Sequence, residues 1–403
     1  MIDNSAIQFK ILIVDDNSNN IQVLGSILRD AKYIVGFANN GHQAIEILNN
    51  TKDYDLVLLD VSMPEMDGFE ICKTIQQDKE LRNIPVIFIT VYNEIENVLK
   101  GFNIGARDYI TKPFNSRELL SRIKTHIKLK HKSDQIKYMN QMLREKNKGM
   151  SDSIVYASKI QEAMMPSIEI LKEKFIDCFI YEKPKDIVSG DFYWFKEYKN
   201  YTYLAVADCT GHGVPGALMS ILGISQLNEI VRDKLDSAGK MLDSLRDRIK
   251  STLNQNNKIP DRDDGMDMSL CLINETKTHM QFSGAYTSLF LFSKNENGGS
   301  YDFHEYRGDQ MPIGIHPNDN NNFMNYDIDI KEGDILYLFS DGYISQFGGD
   351  KNKKFLVKRF KDLLTSIIEM PMTEQKKILD KTLTEWQGTN EQTDDVLVVG
   401  IKI

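Results

Sequence analysis

The sequence predicts a doubly wound α/β domain, a helical connector and an antiparallel α+β domain, and three observations predict it. Over residues 9 to 125, short and almost wholly apolar runs alternate with amphipathic helical stretches, the pattern of a parallel sheet covered by helices on both faces. From 118 to 165 the chain becomes charged, helical in period and free of proline. From 167 onward, apolar runs are separated by turn clusters such as Lys331-Glu332-Gly333-Asp334, which join hairpins. At 403 residues, 41% hydrophobic and 27% charged, the chain is long enough for two separate cores.

In the first domain, strands are expected at 10–14, 34–37, 56–59, 86–89 and 108–110, with helical spacing between them, as at Ala44, Ile45 and Leu48. The connector carries an imperfect heptad stripe of Ile136, Met139, Leu143, Met150, Ala157, Ile160 and Met164. Lys146 and Ser153 interrupt that seam, so a pairing, coiled-coil-like helix competes with a solvated spacer. Pro166 ends it. In the second domain, strands are expected at 201–206, 268–273, 280–284, 289–292, 335–339 and 396–401, and helices at 215–233, 237–254, 357–368 and 373–386. The expected boundaries are 1–128, 129–166 for the connector, and 167–403.

Composition narrows the function. A net charge of −9, with basic runs only local, argues against a nucleic-acid-binding output. The four cysteines (Cys72, Cys178, Cys209, Cys271) form no CxxC pair and read as reduced thiols. No uninterrupted apolar run approaches the ~18 residues needed to span a bilayer, and Met1 to Lys10 lacks the pattern of a signal peptide. A cytoplasmic location without membrane contact is the expectation.

In the first domain, Asp15-Asp16 follow the first strand, Asp60 the third, Thr90 the fourth and Lys112 the fifth. In a doubly wound sheet these carboxyl ends converge where strand order reverses. Three carboxylates together favour a divalent cation. Asp60 can then attack a phosphodonor to form an aspartyl phosphate, Lys112 balancing its charge and the Thr90 hydroxyl meeting a phosphoryl oxygen. The segments Val14-Asp15-Asp16-Asn17, Leu59-Asp60-Val61-Ser62-Met63-Pro64-Glu65-Met66-Asp67-Gly68 and Tyr109-Ile110-Thr111-Lys112-Pro113-Phe114 resemble the response-regulator receiver family over residues 8–128. The resemblance implies a (βα)5 receiver, phosphorylated on Asp60 by a sensor histidine kinase. It further implies Mg2+ on Asp16, Asp60 and the Ser62 carbonyl, with Asp15 assisting through water and Thr90 and Tyr109 as switch residues. Val91 stands where the family usually has a small residue. Either its bulk restricts small phosphodonors or slows loss of the phosphoryl group, or the loop merely shifts.

Four acidic motifs mark the second domain: Ser189-Gly190-Asp191-Phe192, Ala207-Asp208-Cys209-Thr210-Gly211-His212-Gly213, Ser340-Asp341-Gly342 and Thr393-Asp394-Asp395. Each sets an Asp at the edge of an apolar run, where a strand ends. Converging carboxylates repel unless cations sit among them, and oxygen-only sites suit Mg2+ or Mn2+. Two such ions can share one Asp and one water that hydrolyses a phosphoester. With the flanking Lys185-Asp186-Ile187-Val188, Val214-Pro215-Gly216-Ala217 and Tyr343, the motifs resemble SpoIIE/RsbU-like serine/threonine phosphatases, the bacterial branch of the PPM fold, over residues 170–403. That resemblance implies a β-sandwich flanked by helices and two ions, Mn2+ or Mg2+. Asp208 would bridge them, with Asp191 and the Cys209 carbonyl completing one site and Asp341 with Asp394 the other. The paired acids leave Asp395 open as the alternative to Asp394. His212 is either a general acid or part of a tight turn. Asp263, Asp264 and Asp267 form a further acidic cluster, either a third ion site or a solvated loop.

Together the resemblances imply a two-component response regulator whose output is a metal-dependent protein serine/threonine phosphatase. They imply a phosphorylated STAS-domain anti-sigma-factor antagonist as its substrate, and the connector suggests a homodimer. Two other classes compete. A non-catalytic module that sequesters a phosphorylated partner-switching protein would be favoured by loss of a metal carboxylate, and none is missing. A DNA-binding output would need a basic recognition helix, which the second domain lacks.

Overall fold

A computed structural model describes residues 8–91, 95–233, 235, 237–254, 264–295, 300–318 and 320–403, with side chains in the helix starting at Ile95 described from Leu99 on. The chain divides into two compact units, between Asn147 and Lys148.

The first unit alternates β1 (Lys10–Val14), α1 (Ser18–Asp30), β2 (Ile34–Ala38), α2 (Gly41–Asn50), β3 (Leu56–Asp60), α3 (Gly68–Gln77), β4 (Val86–Val91), α4 (Ile95–Ile104), β5 (Asp108–Lys112) and α5 (Ser116–Met164). The strands are parallel in the order β2-β1-β3-β4-β5. Successive side chains of a strand point to opposite faces. Leu12 and Val14 therefore join one core with Leu48 of α2 and Ile71 of α3, while Ile11 and Ile13 join another with Leu24 of α1 and Leu119 and Ile123 of α5. Burial on both faces explains why β1, β3 and β4 read as continuous apolar runs. Strand order reverses between β1 and β3, so the ends carrying Asp15, Asp16 and Asp60 are neighbours.

No break in secondary structure marks the expected boundary at residue 128. One 49-residue helix, α5, both completes the first unit and forms the connector. Its opening turns bury Leu119, Ile123 and Ile127, and beyond them the seam residues Ile136, Met139, Leu143 and Met150 are all exposed.

The second unit continues with α6 (Ile168–Lys174), β6 (Asp177–Lys183), β7 (Phe192–Tyr198), β8 (Tyr201–Cys209), α7 (Gly213–Ile230), α8 (Ala238–Thr252), β9 (Met266–Asn274), β10 (His279–Ala285), β11 (Leu289–Lys294), β12 (Tyr301–Tyr306) and β13 (Tyr326–Asp329). Then come β14 (Ile335–Phe339), α9 (Gly342–Ser345), the short pair β15 (Phe347–Gly348) and β16 (Lys353–Lys354), α10 (Val357–Ile367), α11 (Met372–Gln387) and β17 (Val396–Lys402). Two antiparallel five-stranded sheets result, ordered β13-β10-β9-β8-β7 and β12-β11-β14-β17-β6. Their inner faces share one core, in which Leu204, Val206 and Cys271 of one sheet meet Leu291, Leu338 and Val399 of the other. The outer face of the first sheet is covered by α7 and α8 through Ile224, Leu227 and Leu245; that of the second is covered by α10 and α11 through Phe360, Leu364 and Leu379. The unit is thus layered helix, sheet, sheet, helix, the sandwich that the motifs imply.

Two sequence expectations need adjustment here. Strands β6, β7, β12 and β13 and the short α6 are additions to the expected elements, and all four strands lie at sheet edges. The segment Gly213–Asp233 is also long and apolar enough to cross a membrane by length and composition, although no uninterrupted apolar run was visible. Half of that segment is buried within the unit, which accounts for its apolar character.

Candidate active sites

In the first unit, the strand ends bring the predicted residues together. One oxygen each from Asp15, Asp16 and Asp60 lies within 4.8 Å of the others. Lys112 reaches across from β5, its Nζ 3.0 Å from Asp60 Oδ1 and 3.1 Å from Asp15 Oδ2. Asp15 is fully buried, and the side-chain amide of Asn20 on α1 donates to both its oxygens at 3.0 Å. Asn20 went unnoticed in the sequence, where an Asn in the opening of a helix reads as polar surface. Asp16 is exposed, with its carboxylate beside the buried pair. Burial pushes the Asp60 carboxyl above its ordinary value; Lys112 opposes the shift, and the charges of Asp15 and Asp16 add to it. Three acids against one lysine leave negative charge to be neutralised, so this donor set fits a hard divalent cation.

Ser62 is exposed, two residues past Asp60 on the loop that leaves β3. Thr90 is buried on β4 and shares a small pocket with Phe102 and the half-buried Tyr109. The Phe102 and Tyr109 rings meet edge to face at 6.2 Å. Val91 is half exposed and stands in register with Lys112, so its bulk is at the site.

In the second unit, the site sits where β7, β8 and β17 begin or end. Asp191 immediately precedes β7, Asp208 is the penultimate residue of β8, Asp341 caps α9 just after β14, and Asp394 lies on the turn into β17. Two glycines with positive φ, Gly211 (+84°) and Gly213 (+66°), turn the chain from β8 into α7. Gly342 serves a different need: a Cβ there would stand 1.8 Å from the Asp395 carbonyl oxygen, so only glycine lets α9 and β17 approach.

The acids feel one another. Burial raises the Asp191 carboxyl well above its usual value, and the Asp208 charge raises it further. Asp208 is pushed up to about 8 by burial and by Asp341, Asp394 and Asp267, although the Asp341 backbone N–H donates to it. Asp191 Oδ2 is buried with no hydrogen-bond partner. An orphaned carboxylate oxygen facing a set of like charges is the signature of a donor set built for cations, and Mn2+ or Mg2+ fits it. The approach is looser than in the first unit: among the described residues, no three acids here bring one oxygen each within 4.8 Å of the others. Cys209 is buried and its thiol is pushed up by burial, which leaves its backbone carbonyl as the group it can offer.

Asp394 and Asp395 differ in what their carboxylates already hold. Asp395 is buried and accepts from the Lys185 N–H at 2.7 Å and the Gly190 N–H at 2.6 Å. Asp394 is half-buried and electrostatically close to Asp341, and its Oδ1 accepts from the adjacent Asp395 N–H at 2.9 Å, a local contact that ties no distant segment. Asp395→Ala should therefore lower stability by about 2–4 kcal/mol, since two N–H groups lose a charged acceptor. Asp394→Ala should leave the melting temperature near that of the parent and remove turnover. Denaturation and rate measurements on the two variants check this, and a reversed pattern would exchange the two roles.

His212 is exposed at the start of α7, its Nδ1 2.6 Å from Asp186 Oδ2. Asp267 departs from the solvated-loop reading: it lies on β9, directly opposite Asp208, and burial with the Asp341 charge pushes its carboxyl up to about 7. Asp264 precedes that strand, and Asp263 lies outside the described residues.

Fold and acids together define a class, a receiver domain joined to a PPM-type phosphatase domain. The response regulator receiver domain model matches residues 11–124, and the Stage II sporulation protein E (SpoIIE) model matches residues 199–403. The second match takes in just over half of the chain, which belongs to the SpoIIE family. The chain also resembles the SiaA-PP2C domain of Pseudomonas aeruginosa, with a TM-score of 0.57 and 29% identity over 64% of this chain and 98% of that one. Transcriptional regulatory protein SpaR of Bacillus subtilis is 39% identical over 132 residues, 32% of this chain and 57% of SpaR. A probable cyclic di-GMP phosphodiesterase of Vibrio cholerae serotype O1 is 38% identical over 157 residues, 37% of this chain and 35% of that protein. The chain spans about half the length of the curated relatives it matches, or less.

Proposed function

We propose that this chain is a two-component response regulator in which phosphorylation of Asp60 by a sensor histidine kinase controls a metal-dependent protein serine/threonine phosphatase. The observation that carries the phosphatase reading is the convergence of Asp191, Asp208, Asp341 and Asp394 from separate segments, with the buried Asp191 Oδ2 left unpartnered. In the receiver, Asp16, Asp60 and the Ser62 carbonyl would hold Mg2+; in the phosphatase, Asp191, Asp208, the Cys209 carbonyl, Asp341 and Asp394 would hold two ions, Mn2+ or Mg2+. Bound there, the ions supply charge neutralisation and an acidified water, the chemistry a phosphomonoester needs.

The chain's own residues do the rest. A carboxylate oxygen of Asp60 attacks the phosphorus of the donor phosphohistidine; the new O–P bond forms as the N–P bond breaks, and the imidazole keeps the electron pair. Lys112, already 3.0 Å from Asp60, balances the added charge. Asp186 at Nδ1 would leave Nε2 of His212 to protonate the departing seryl or threonyl oxygen. The substrate, a phosphorylated STAS-domain anti-sigma-factor antagonist, rests on family resemblance alone. A cytoplasmic homodimer paired through α5 completes the reading. The test is a phosphatase assay on phosphoserine STAS proteins, with and without Mn2+ and with and without receiver phosphorylation. Hydrolysis that ignores Mn2+ would contradict the proposal.

A further inference from the structure

Gln161 is the one buried polar residue in the last turns of the otherwise exposed and charged end of α5. Its carboxamide is fully engaged. Nε2 donates to the Ser189 carbonyl oxygen at 2.6 Å and to Ser220 Oγ at 2.7 Å, and Oε1 accepts from the Ser189 N–H at 3.2 Å. The side chain thus pairs with both backbone groups of Ser189, as a neighbouring strand would. Ser189 in turn holds Asp191, its Oγ accepting from the Asp191 N–H at 3.0 Å. Gly190 between them is fixed by Asp395. The backbone that aims Asp191 is therefore clamped from two sides, by a carboxylate before β17 and by an amide on α5.

Met164 packs the end of α5 against the neighbouring core, and among the described residues the hydrogen bonds from α5 to this loop are those of Gln161. A cavity of about 290 Å³, lined by Ser158, Gln161, Glu162, Glu182 and Tyr193 among others, lies beside the contact. With a groove beside the contact, the hydrogen bonds of Gln161 are the direct link between helix and loop. α5 is also the helix whose first turns belong to the receiver core.

We infer that Gln161 is a positioning residue for the phosphatase's cation site: by clamping Ser189 it sets the reach of Asp191, and it makes the affinity of that site depend on the placement of α5. The inference rests on the two-ion reading above. Outer partners that orient a ligand typically contribute 10–100-fold in metal affinity. Gln161 acts one residue further out, through the backbone, so the lower part of that range applies.

The test uses the full chain with Asp16→Asn, which silences the receiver's cation site, and follows Mn2+ binding by titration calorimetry. Gln161→Glu has the same shape and keeps an acceptor for the Ser189 N–H. It loses the Nε2 donor and sets an oxygen against the Ser189 carbonyl. Mn2+ affinity should fall by about tenfold, and in the metal-free protein the Ser189 and Asp191 amides should exchange faster with solvent. At saturating Mn2+, KM for p-nitrophenyl phosphate should stay at the parent value. Ser220→Ala removes a partner of the same amide without touching the loop, and should keep parental Mn2+ affinity. If Gln161→Glu does not fold, Gln161→Met, uncharged and of similar length, takes its place and must show the same two losses. A folded Gln161 variant with parental affinity and parental exchange would overturn the proposal. Absence of Mn2+ uptake by the Asp16→Asn parent would instead overturn the two-ion reading, and this inference with it.

Discussion

Asp208→Asn is expected to lose nearly all turnover while remaining folded. Asp208 stands next to the end of β8, and its carboxyl is pushed up to about 8 by burial and by Asp341, Asp394 and Asp267. Such a group holds its negative charge at neutral pH only when positive charge is supplied. Asparagine keeps the shape and removes the charge that two ions would share, so both are weakened at once. Loss of an outer partner alone costs 10–100-fold, so loss of the shared carboxylate should cost more than about 100-fold in rate. Without metal, the variant should melt no lower than the parent, because a source of like-charge repulsion is gone. Asp341→Asn should show nearly the same loss through one ion. Rates on a phosphoserine protein in Mn2+, read beside melting curves, check both, and a folded Asp208→Asn protein with parental turnover would contradict the two-ion reading.

The second large effect is expected in the connector. Ile136, Met139, Leu143 and Met150 are all more than half exposed on a helix that begins inside the receiver core and ends at the Ser189 clamp. A helix transmits rotation or separation between rigid domains, whereas a flexible tether only keeps them near each other. Lys146 and Ser153 flaw the seam, so pairing through it would be marginal and easily biased by a change in the receiver. Phosphorylation of Asp60 is expected to shift that pairing and raise the phosphatase rate. Substituting both Leu143 and Met150 with Asp places four charges in a two-helix seam. Sedimentation should then show monomer, and the phosphatase rate should no longer respond to receiver phosphorylation. An unchanged dimer with unchanged regulation would remove the connector from the mechanism.

What was legible in the sequence follows from where free energy is local. Strands β1, β3 and β4 are buried on both faces, so each prints itself as an apolar run with its functional residue at one end. Strands β12 and β13 carry polar residues on an exposed face, and the dense aromatic run Phe192-Tyr193-Trp194-Phe195 of β7 shows no alternation to read. Gly211 and Gly213 were readable as a turn because positive φ restricts residue choice. Asp394 and Asp395 were not separable, since the difference lies in the Lys185 and Gly190 amides, far away in sequence. Gln161 was invisible for the same reason. A glutamine in a charged helix reads as surface, and only the approach of Ser189 and Ser220 buries it.

The central claim is that one aspartate in the first unit governs hydrolysis in the second. The most direct measurement is the Mn2+-dependent rate on a phosphoserine STAS protein, taken before and after receiver phosphorylation, for the parent chain and for Asp60→Ala. The parent should take up one phosphoryl group on the receiver and change its rate. Asp60→Ala should take up none, keep its basal Mn2+-dependent rate and fail to respond. Stoichiometric labelling of Asp60→Ala, or a parent rate indifferent to receiver phosphorylation, would contradict the account.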